Sequence, residues 1–264
     1  MSASASPERV TILGPGAMGL LHAAYLRRAG TDVTLLDYRP ERAERLNAGG
    51  LRVERSDGEW RIAVPCRAVP DFGPVDLLVV FVKAYATRAA LAHARPLIGR
   101  QTVLLTLQNG LGNLEILREF QAPELVLAGT TSSGATLLGE GHIRQAGLGQ
   151  IILGSAVPPS PGDSPSSCRR GTAGGEAAAV AALFTAAGLP ATITDDVPTV
   201  LWRKAVINAA INPLTALTGR RNGELLADAA LRELLGQVAA EGATVAQALG
   251  LDLDPAAMPA QVED

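Results

Sequence analysis

Several residue types and segments are scarce in this 264-residue chain, and each scarcity excludes a class of protein. The two cysteines, Cys66 and Cys168, and the three histidines stand apart from one another, so the sequence predicts neither a metal site nor a disulfide framework. Aromatic residues make up only 3% of the chain, so the core must consist mainly of Ala, Val, Leu and Ile. The longest apolar run, from Leu77 to Val82, is far shorter than the roughly 18 residues of a membrane span.

The charge of the chain excludes two further classes of partner. A formal net charge of −3 argues against nucleic acid and against an anionic membrane surface, because both require a basic face. The residues before Glu8 lack the basic and apolar regions of a signal peptide. We therefore expect a cytoplasmic protein whose main partner is a small molecule.

Strand and helix patterns alternate through the first part of the chain, and helices dominate after residue 195. Strands that alternate with helices predict βαβ units and a parallel sheet covered by helices on both faces. The predicted strands span 10–13, 33–36, 52–55, 61–64, 76–82, 102–107, 125–131, 134–138, 142–146, 150–153 and 191–194. The predicted helices span 17–28, 40–48, 87–97, 176–187, 197–217 and 225–250.

These patterns predict an α/β fold class, with a Rossmann-type doubly wound sheet followed by a mostly α-helical second domain. We place the first domain at residues 9–195 and the second at residues 196–264. Residues 157–175 contain four Pro, four Ser and four Gly, which predicts an exposed flexible insertion in the first domain.

A glycine-rich turn follows the first predicted strand. Gly14, Gly16 and Gly19 match G-x-G-x-x-G, and the turn opens a helix within the first βαβ unit, which is the context of a dinucleotide site. In such a turn the first glycine permits the bend, the second lets the backbone approach a pyrophosphate, and the third lets the helix pack against the sheet. The alternative is a glycine-rich turn without a ligand.

The end of the second predicted strand leaves the choice of dinucleotide open. Asp37 lies 18 residues after Gly19, close to the position where an acid binds the ribose 2′-hydroxyl of NAD. Arg39 and Arg42 follow and could pair with the 2′-phosphate of NADP. These residues by themselves slightly favour NAD. A solvated strand end without a ligand is the alternative, more so for Arg42 than for Asp37.

The predicted helix 197–217 carries a narrow polar stripe in an apolar sequence. Lys204, Asn208 and Asn212 are spaced i, i+4, i+8, so a helix places them in one line that drifts by about 40° per step. Pro213 follows them and tends to kink a helix. A lysine that extends to solvent is the alternative, but it would leave two asparagines buried for no reason.

Lysine itself is rare, because only Lys83 and Lys204 are lysines among 23 basic residues and the other 21 are arginines. Arginine is effectively never deprotonated, whereas lysine can exchange a proton, so these two lysines suggest sites of proton transfer. Lys83 ends one predicted strand and Asn109 follows the next. Ligands bind at the carboxyl ends of such strands, so we expect both residues near the glycine-rich turn. Codon bias and chance are the alternative.

Four motifs together resemble one enzyme family over residues 9–250. They are Gly14-x-Gly16-x-x-Gly19, Val82-Lys83-Ala84, Gln108-Asn109-Gly110-x-Gly112 and Leu201-Trp-Arg-Lys204-x-x-x-Asn208-x-x-x-Asn212-Pro-Leu-Thr-Ala216. The chain resembles the ketopantoate reductase (2-dehydropantoate 2-reductase) family, and the last motif is the most specific.

The resemblance implies an activity and roles for particular residues. NADPH bound across the glycine-rich turn would deliver hydride to the C2 ketone of 2-dehydropantoate, with Lys204 as the general acid. Asn109 would place the nicotinamide end and the substrate, Asn208 and Asn212 would hydrogen-bond the substrate carboxylate and hydroxyl groups, and Lys83 would be a secondary cation. The product would be pantoate, on the route to pantothenate and coenzyme A.

We therefore assign the cofactor contacts to Gly14, Pro15, Gly16, Ala17, Met18, Gly19, Asp37, Arg39, Lys83 and Asn109. NADP(H) is the family default, and NAD(H) stays open because many NADP-using members have no acid at the position of Asp37. The sequence ends at Asp264, before two stretches that complete the family's substrate pocket, so we expect an incomplete second domain. Two other functions stay open, namely reduction of another small branched 2-oxo acid and nucleotide binding without catalysis. A homodimer also stays open.

Overall fold

A computed structural model describes residues 6–157 and 173–263, and the chain forms two compact units. The first unit comprises residues 1–108 and 112–197, and the second comprises residues 109–111 and 198–264. The sequence-based domain boundary after residue 195 stays a prediction. Most of the predicted insertion, residues 158–172, lies outside the described residues, whereas residues 173–175 begin a helix.

Two sheets form the framework of the first unit. The strands are β1 (Arg9–Leu13), β2 (Asp32–Leu36), β3 (Leu51–Arg55), β4 (Gly58–Ile62), β5 (Cys66–Arg67), β6 (Leu77–Val80), β7 (Val103–Thr106), β8 (Val126–Thr131), β9 (Gly134–Gly139), β10 (His142–Gly147), β11 (Ile151–Ser155) and β12 (Ala191–Ile193). The larger sheet has the order β12-β11-β8-β7-β6-β1-β2-β5, and the smaller has the order β4-β3-β10-β9.

The larger sheet is parallel except at one pair of strands, for which the sequence predicted no direction. β8 and β11 are antiparallel, with Ile151 opposite Thr131. The physical reason is the connection between them, because the chain leaves β8 for the antiparallel strands β9 and β10 of the smaller sheet before it returns as β11. The other neighbouring pairs of the larger sheet are parallel, as predicted.

Helices cover the larger sheet and make up most of the second unit. They are α1 (Ala17–Arg28), α2 (Pro40–Gly49), α3 (Thr87–His93), α4 (Asn113–Arg118), α5 (Ala173–Ala186), α6 (Val197–Thr218), α7 (Asn222–Leu225), α8 (Ala229–Ala248) and α9 (Met258–Glu263). Within the described ranges, no helix is both long enough and apolar enough to cross a membrane.

Two predicted helices end or begin about four residues from the predicted bounds, and three short helices were not predicted. The predicted helix 87–97 ends at His93, and a short 3₁₀ turn with Pro96 follows it. The predicted helix 225–250 begins only at Ala229, because the Asp228 carboxylate accepts hydrogen bonds from the first backbone amides and caps α8 there. The short helices α4, α7 and α9 were not predicted.

Each unit has its own apolar core of small and aliphatic side chains. In the first unit Ile12, Leu35 and Val79 are completely buried on adjacent strands. In the second unit α6 packs against α8, where a Cβ on Gly242 would lie 2.8 Å from a methyl group of Val206. The low aromatic content therefore predicted the character of both cores correctly.

Candidate nucleotide-binding and catalytic site

The glycine-rich turn connects β1 to α1, and two of its glycines are fixed by close packing. A Cβ on Gly14, whose φ is +100°, would lie 2.7 Å from a methyl group of Val82. A Cβ on Gly19 would lie 2.2 Å from the Gly14 carbonyl oxygen. A Cβ on Gly16 would meet no atom within 4 Å, so this position faces open space. The turn therefore fits the close approach of a pyrophosphate group at Gly16.

The same turn borders a groove of about 570 Å³ at the carboxyl edge of the larger sheet. The predicted cofactor residues Gly14, Pro15, Gly16, Asp37 and Lys83 all line it. The predicted residues Ala17, Met18 and Gly19 form the first turn of α1, and no side chain caps that helix within the described part of the chain. Uncapped amides at a helix N-terminus are suited to bind phosphate.

Asp37, directly after β2, is surrounded by cationic groups. Its side chain is buried, and Oδ2 lies 3.2 Å from Arg42 Nη1. Its Oδ1 lies 3.8 Å from Arg39 Nε and accepts a hydrogen bond from the Arg39 backbone amide at 3.3 Å. The Arg39 guanidinium lies over the Tyr38 ring, and its side chain is 47% exposed. Asp37 and Arg42 line the groove as an ion pair, whereas the predicted cofactor residue Arg39 is not among its lining residues.

Lys83 directly follows Val82 and is exposed at the groove. The backbone beside it is held by Gln108, whose Nε2 donates to the Val82 carbonyl oxygen at 2.6 Å. Gln108 is buried and directly precedes the predicted site residue Asn109. One carboxamide therefore fixes the end of the β6 segment and the start of the segment that carries Asn109.

Three further buried polar residues complete the hydrogen bonding of Gln108. Its Oε1 accepts from the Thr106 hydroxyl at 2.9 Å, and its Nε2 also donates to Thr87 Oγ1 at 3.0 Å. The Thr87 hydroxyl donates to Asn113 Oδ1 at 3.1 Å. We name Thr87, Thr106, Gln108 and Asn113 the buried polar network. Its members satisfy one another in a region that excludes water.

In the second unit, α6 carries the stripe of Lys204, Asn208 and Asn212. The structure brings Asn208 and Asn109 together, with Asn208 Nδ2 lying 3.4 Å from Asn109 Oδ1. Lys204 and Asn208 are half-buried, whereas Asn212 is exposed. The expectation that both asparagines are buried is wrong for Asn212, because α6 turns Ala210 toward the core and Asn212 lies about 200° around the helix from it. α6 continues through Pro213 to Thr218.

His22 is a buried titratable group close to the groove. Its ring lies 4.6 Å from that of Phe81, a groove residue, and its Nδ1 donates to the Met18 carbonyl oxygen at 2.8 Å. Its Nε2 has no hydrogen-bond partner among the described residues. Burial lowers the pKa of His22 from 6.5 to about 4, so the ring is neutral at physiological pH.

Sequence reasoning missed the buried polar network and both contacts of Arg42. The sequence suggested Arg42 only as a partner for a 2′-phosphate, but in the structure it contacts Asp37 and donates to the Pro15 carbonyl oxygen. Polar residues within apolar segments, such as Thr106 and Gln108, are the signal that could have revealed the network.

Comparisons with known proteins match two parts of the chain to one enzyme family. The family described as "Ketopantoate reductase PanE/ApbA" matches residues 10–158, and the one described as "Ketopantoate reductase PanE/ApbA C terminal" matches residues 196–264. The 2-dehydropantoate 2-reductase of Halobacterium salinarum is 36% identical over 93% of this chain and 77% of its own. That of Archaeoglobus fulgidus is 35% identical over 94% of this chain and 77% of its own.

Solved structures show the same fold. The 2-dehydropantoate 2-reductase from Geobacter metallireducens has a TM-score of 0.83 and 31% identity, over 97% of this chain and 82% of its own. A D-mandelate dehydrogenase solved with NADH and anilino(oxo)acetate has a TM-score of 0.84 and 27% identity, over 97% of this chain and 79% of its own.

A Rossmann-like unit with a glycine-rich turn, followed by a helical unit, defines the class as NAD(P)-dependent oxidoreductases. Within that class, the family matches and the relatives show that the chain belongs to the ketopantoate reductase family.

Proposed function

We propose that this protein reduces the C2 ketone of 2-dehydropantoate to the hydroxyl of pantoate. The observation that carries the proposal is the contact between Asn208 and Asn109 on the unit that also bears Lys204. This contact joins Asn109 of the motif at 108–112 to Asn208 of α6, the helix that also carries Lys204.

The proposed chemistry divides the reduction between a hydride and a proton. A bound nicotinamide dinucleotide supplies the hydride, which forms the new C–H bond at C2. Lys204 donates its proton to the ketone oxygen as negative charge develops there, so the C=O π bond becomes a C–OH group. Asn109, Asn208 and Asn212 orient the substrate by hydrogen bonds to its carboxylate and hydroxyl groups, and Lys83 adds a positive charge for the anionic ligands.

For the cofactor we propose NADPH, with Arg39 as the group that receives the 2′-phosphate. The support is that the Asp37 carboxylate at the groove is paired with Arg42, while the Arg39 side chain, two residues after Asp37, is 47% exposed. An arginine suits a phosphate because its guanidinium can donate two parallel hydrogen bonds. NADH is the alternative, and the D-mandelate dehydrogenase with a similar fold was solved with NADH.

We further propose that residues 9–195 and 196–264 act as the cofactor and catalytic domains. In this proposal the enzyme works in the cytoplasm and supplies pantoate for pantothenate and coenzyme A.

Steady-state kinetics with a panel of 2-oxo acids and both dinucleotides tests the proposal. We expect the highest kcat/KM for 2-dehydropantoate with NADPH, above pyruvate, 2-oxoisovalerate and phenylglyoxylate. A higher kcat/KM for another branched 2-oxo acid would assign the enzyme to that substrate instead. Dinucleotide binding in calorimetry without turnover of any oxo acid would show a nucleotide-binding protein that lacks catalysis.

A further inference from the structure

Asp37 stands where many nucleotide-binding sheets have an acid that binds the ribose. In this protein its side chain contacts other protein groups instead. Its side chain is 2% exposed, and its two oxygens face Arg42 Nη1 and the backbone amide of Arg39. A buried carboxylate is tolerated only when a cation and hydrogen bonds compensate for its lost hydration. Arg42 supplies that cation at 3.2 Å.

Arg42 connects this carboxylate to the glycine-rich turn. Its side chain is 11% exposed, so it is nearly as buried as its partner. While Nη1 faces Asp37, Nη2 donates to the carbonyl oxygen of Pro15, the residue between Gly14 and Gly16. The guanidinium is a rigid planar fork, so fixing one of its nitrogens also fixes the direction of the other.

Backbone hydrogen bonds also hold the end of β2, one to the glycine-rich turn and one to β5. The Gly14 amide donates to the Leu36 carbonyl oxygen at 3.1 Å, and the Asp37 amide donates to the Arg67 carbonyl oxygen at 3.0 Å. The turn is therefore attached to the end of β2 by one backbone bond. The Arg42 side chain adds a second attachment, because it contacts Asp37 and the carbonyl oxygen of Pro15, the residue before Gly16.

We propose that Asp37 is a positioning residue for the phosphate-binding turn, which it holds through Arg42, and that it does not bind the ribose. This proposal rests on the proposed function only in its assumption that the groove binds a dinucleotide. Asp37 then supports NADH and NADPH equally, since both carry the pyrophosphate that the turn receives. Discrimination at the ribose 2′ position falls to other groups.

The two roles of Asp37 predict different binding patterns. In the Asp37→Asn variant, measured by calorimetry without substrate, we expect the Kd values of NADH and NADPH to rise together by about tenfold, because a neutral carboxamide no longer forms the ion pair that holds Arg42. The ratio of the two Kd values should stay within about twofold of the wild-type ratio, because both dinucleotides carry the same pyrophosphate. A ribose-binding acid predicts weaker NADH and tighter NADPH, because a repulsive charge beside the 2′-phosphate would be lost, and this result would overturn the proposal.

The double variant Arg42→Met with Asp37→Asn separates the proposed role from a general loss of stability. Arg42→Met leaves the Asp37 carboxylate buried without its cation, so we expect weaker binding of both dinucleotides and a lower Tm. Adding Asp37→Asn to Arg42→Met removes the unpaired charge and should restore part of the affinity for both. If the double variant binds NADH more weakly than Arg42→Met alone, the proposal is wrong.

A matched control lies on the same helix. Arg45 pairs with Glu140 at the surface, where both side chains are largely exposed, so Arg45→Met should leave both Kd values unchanged. If Asp37→Asn lowers the Tm but leaves both Kd values at wild-type levels, the pair is purely structural and the proposal fails. Wild-type binding of dinucleotides without turnover of 2-dehydropantoate would refute the proposed function while this test of Asp37 remains valid.

Discussion

Asn208 and Asn109 are 99 residues apart in the sequence, yet Asn208 Nδ2 lies 3.4 Å from Asn109 Oδ1. Asn208 is one helical turn after Lys204 on α6, and Asn109 directly follows the buried Gln108. The contact therefore lies within the second unit and joins the lysine-bearing helix to the short segment 109–111. The Asn208 carboxamide donates one of its two N–H groups in this contact, and its chemistry suits an anionic substrate.

Removing the Asn208 carboxamide should affect the substrate more than the dinucleotide. We expect Asn208→Ala to lower kcat/KM for 2-dehydropantoate by about 10- to 100-fold, because a hydrogen bond to a charged group contributes about 1.5–3 kcal/mol. The Kd of NADPH, measured by calorimetry, should not change. Gln247→Ala, at an exposed carboxamide of α8, is the control. A wild-type kcat/KM in Asn208→Ala would exclude a role in substrate binding.

Two glycine variants should separate packing from ligand binding in the turn. Gly19→Ala places a Cβ 2.2 Å from a backbone oxygen, so we expect a clear loss of Tm without any ligand. Gly16→Ala meets no atom within 4 Å, so its Tm should equal that of wild type while the NADPH Kd rises. Thermal melts and calorimetry measure the two effects. Unchanged NADPH affinity in Gly16→Ala would contradict pyrophosphate binding at this turn.

The buried polar network should contribute measurably to stability. Thr87→Val preserves the side-chain shape but leaves the carboxamide groups of its partners without the Thr87 hydroxyl, so we expect a loss of about 1–3 kcal/mol in the free energy of unfolding. Thr192→Val removes an exposed hydroxyl that accepts from Gln150 and should cost much less. Urea unfolding of both variants tests this, and equal losses would show that burial of the network is unimportant.

The sequence predicted local elements better than the contacts between them. The bounds of α1 were predicted correctly because the glycine-rich turn and Gly30 mark its two ends. The cap at Asp228 was also readable, since Asp favours that position, but the apolar pattern on both sides concealed it. The direction of β11 depends on the chain's passage through the smaller sheet, which no local pattern records.

Part of the candidate site could also be predicted from local patterns, because its residues lie at the ends of strands. The glycine-rich turn, Lys83 and Asn109 were predicted to meet at one sheet edge because the carboxyl ends of parallel strands lie there. Gly14, Gly16 and Lys83 line the groove, whereas Asn109 is not among its lining residues and belongs to the second unit. The contact of Arg42 with Pro15 joins residues from different elements, so only the folded chain shows it. The exposure of Asn212 depends on which face α6 turns to its core.

Burial of His22 predicts that acid destabilises the fold. The folded-state pKa is about 4 and the ordinary value is 6.5, so between these values the unfolded chain takes up a proton that the folded chain does not. Stability should therefore fall as pH drops from 6.5 toward 4, by about 3 kcal/mol from this group alone. In His22→Leu this part of the pH dependence should disappear, whereas exposed His93→Gln should keep it. Urea unfolding across this range gives the slopes, and identical slopes in His22→Leu and wild type would contradict the assignment.

Lys204 as the proton donor is the central claim, and turnover of 2-dehydropantoate with NADPH by Lys204→Met tests it most directly. The account predicts a fall in kcat of about 10²- to 10⁴-fold, the usual contribution of a positioned acid, with the NADPH Kd from calorimetry unchanged. Lys204→Arg should not restore kcat, because a guanidinium keeps its proton. A kcat equal to that of the wild type in Lys204→Met would contradict the account.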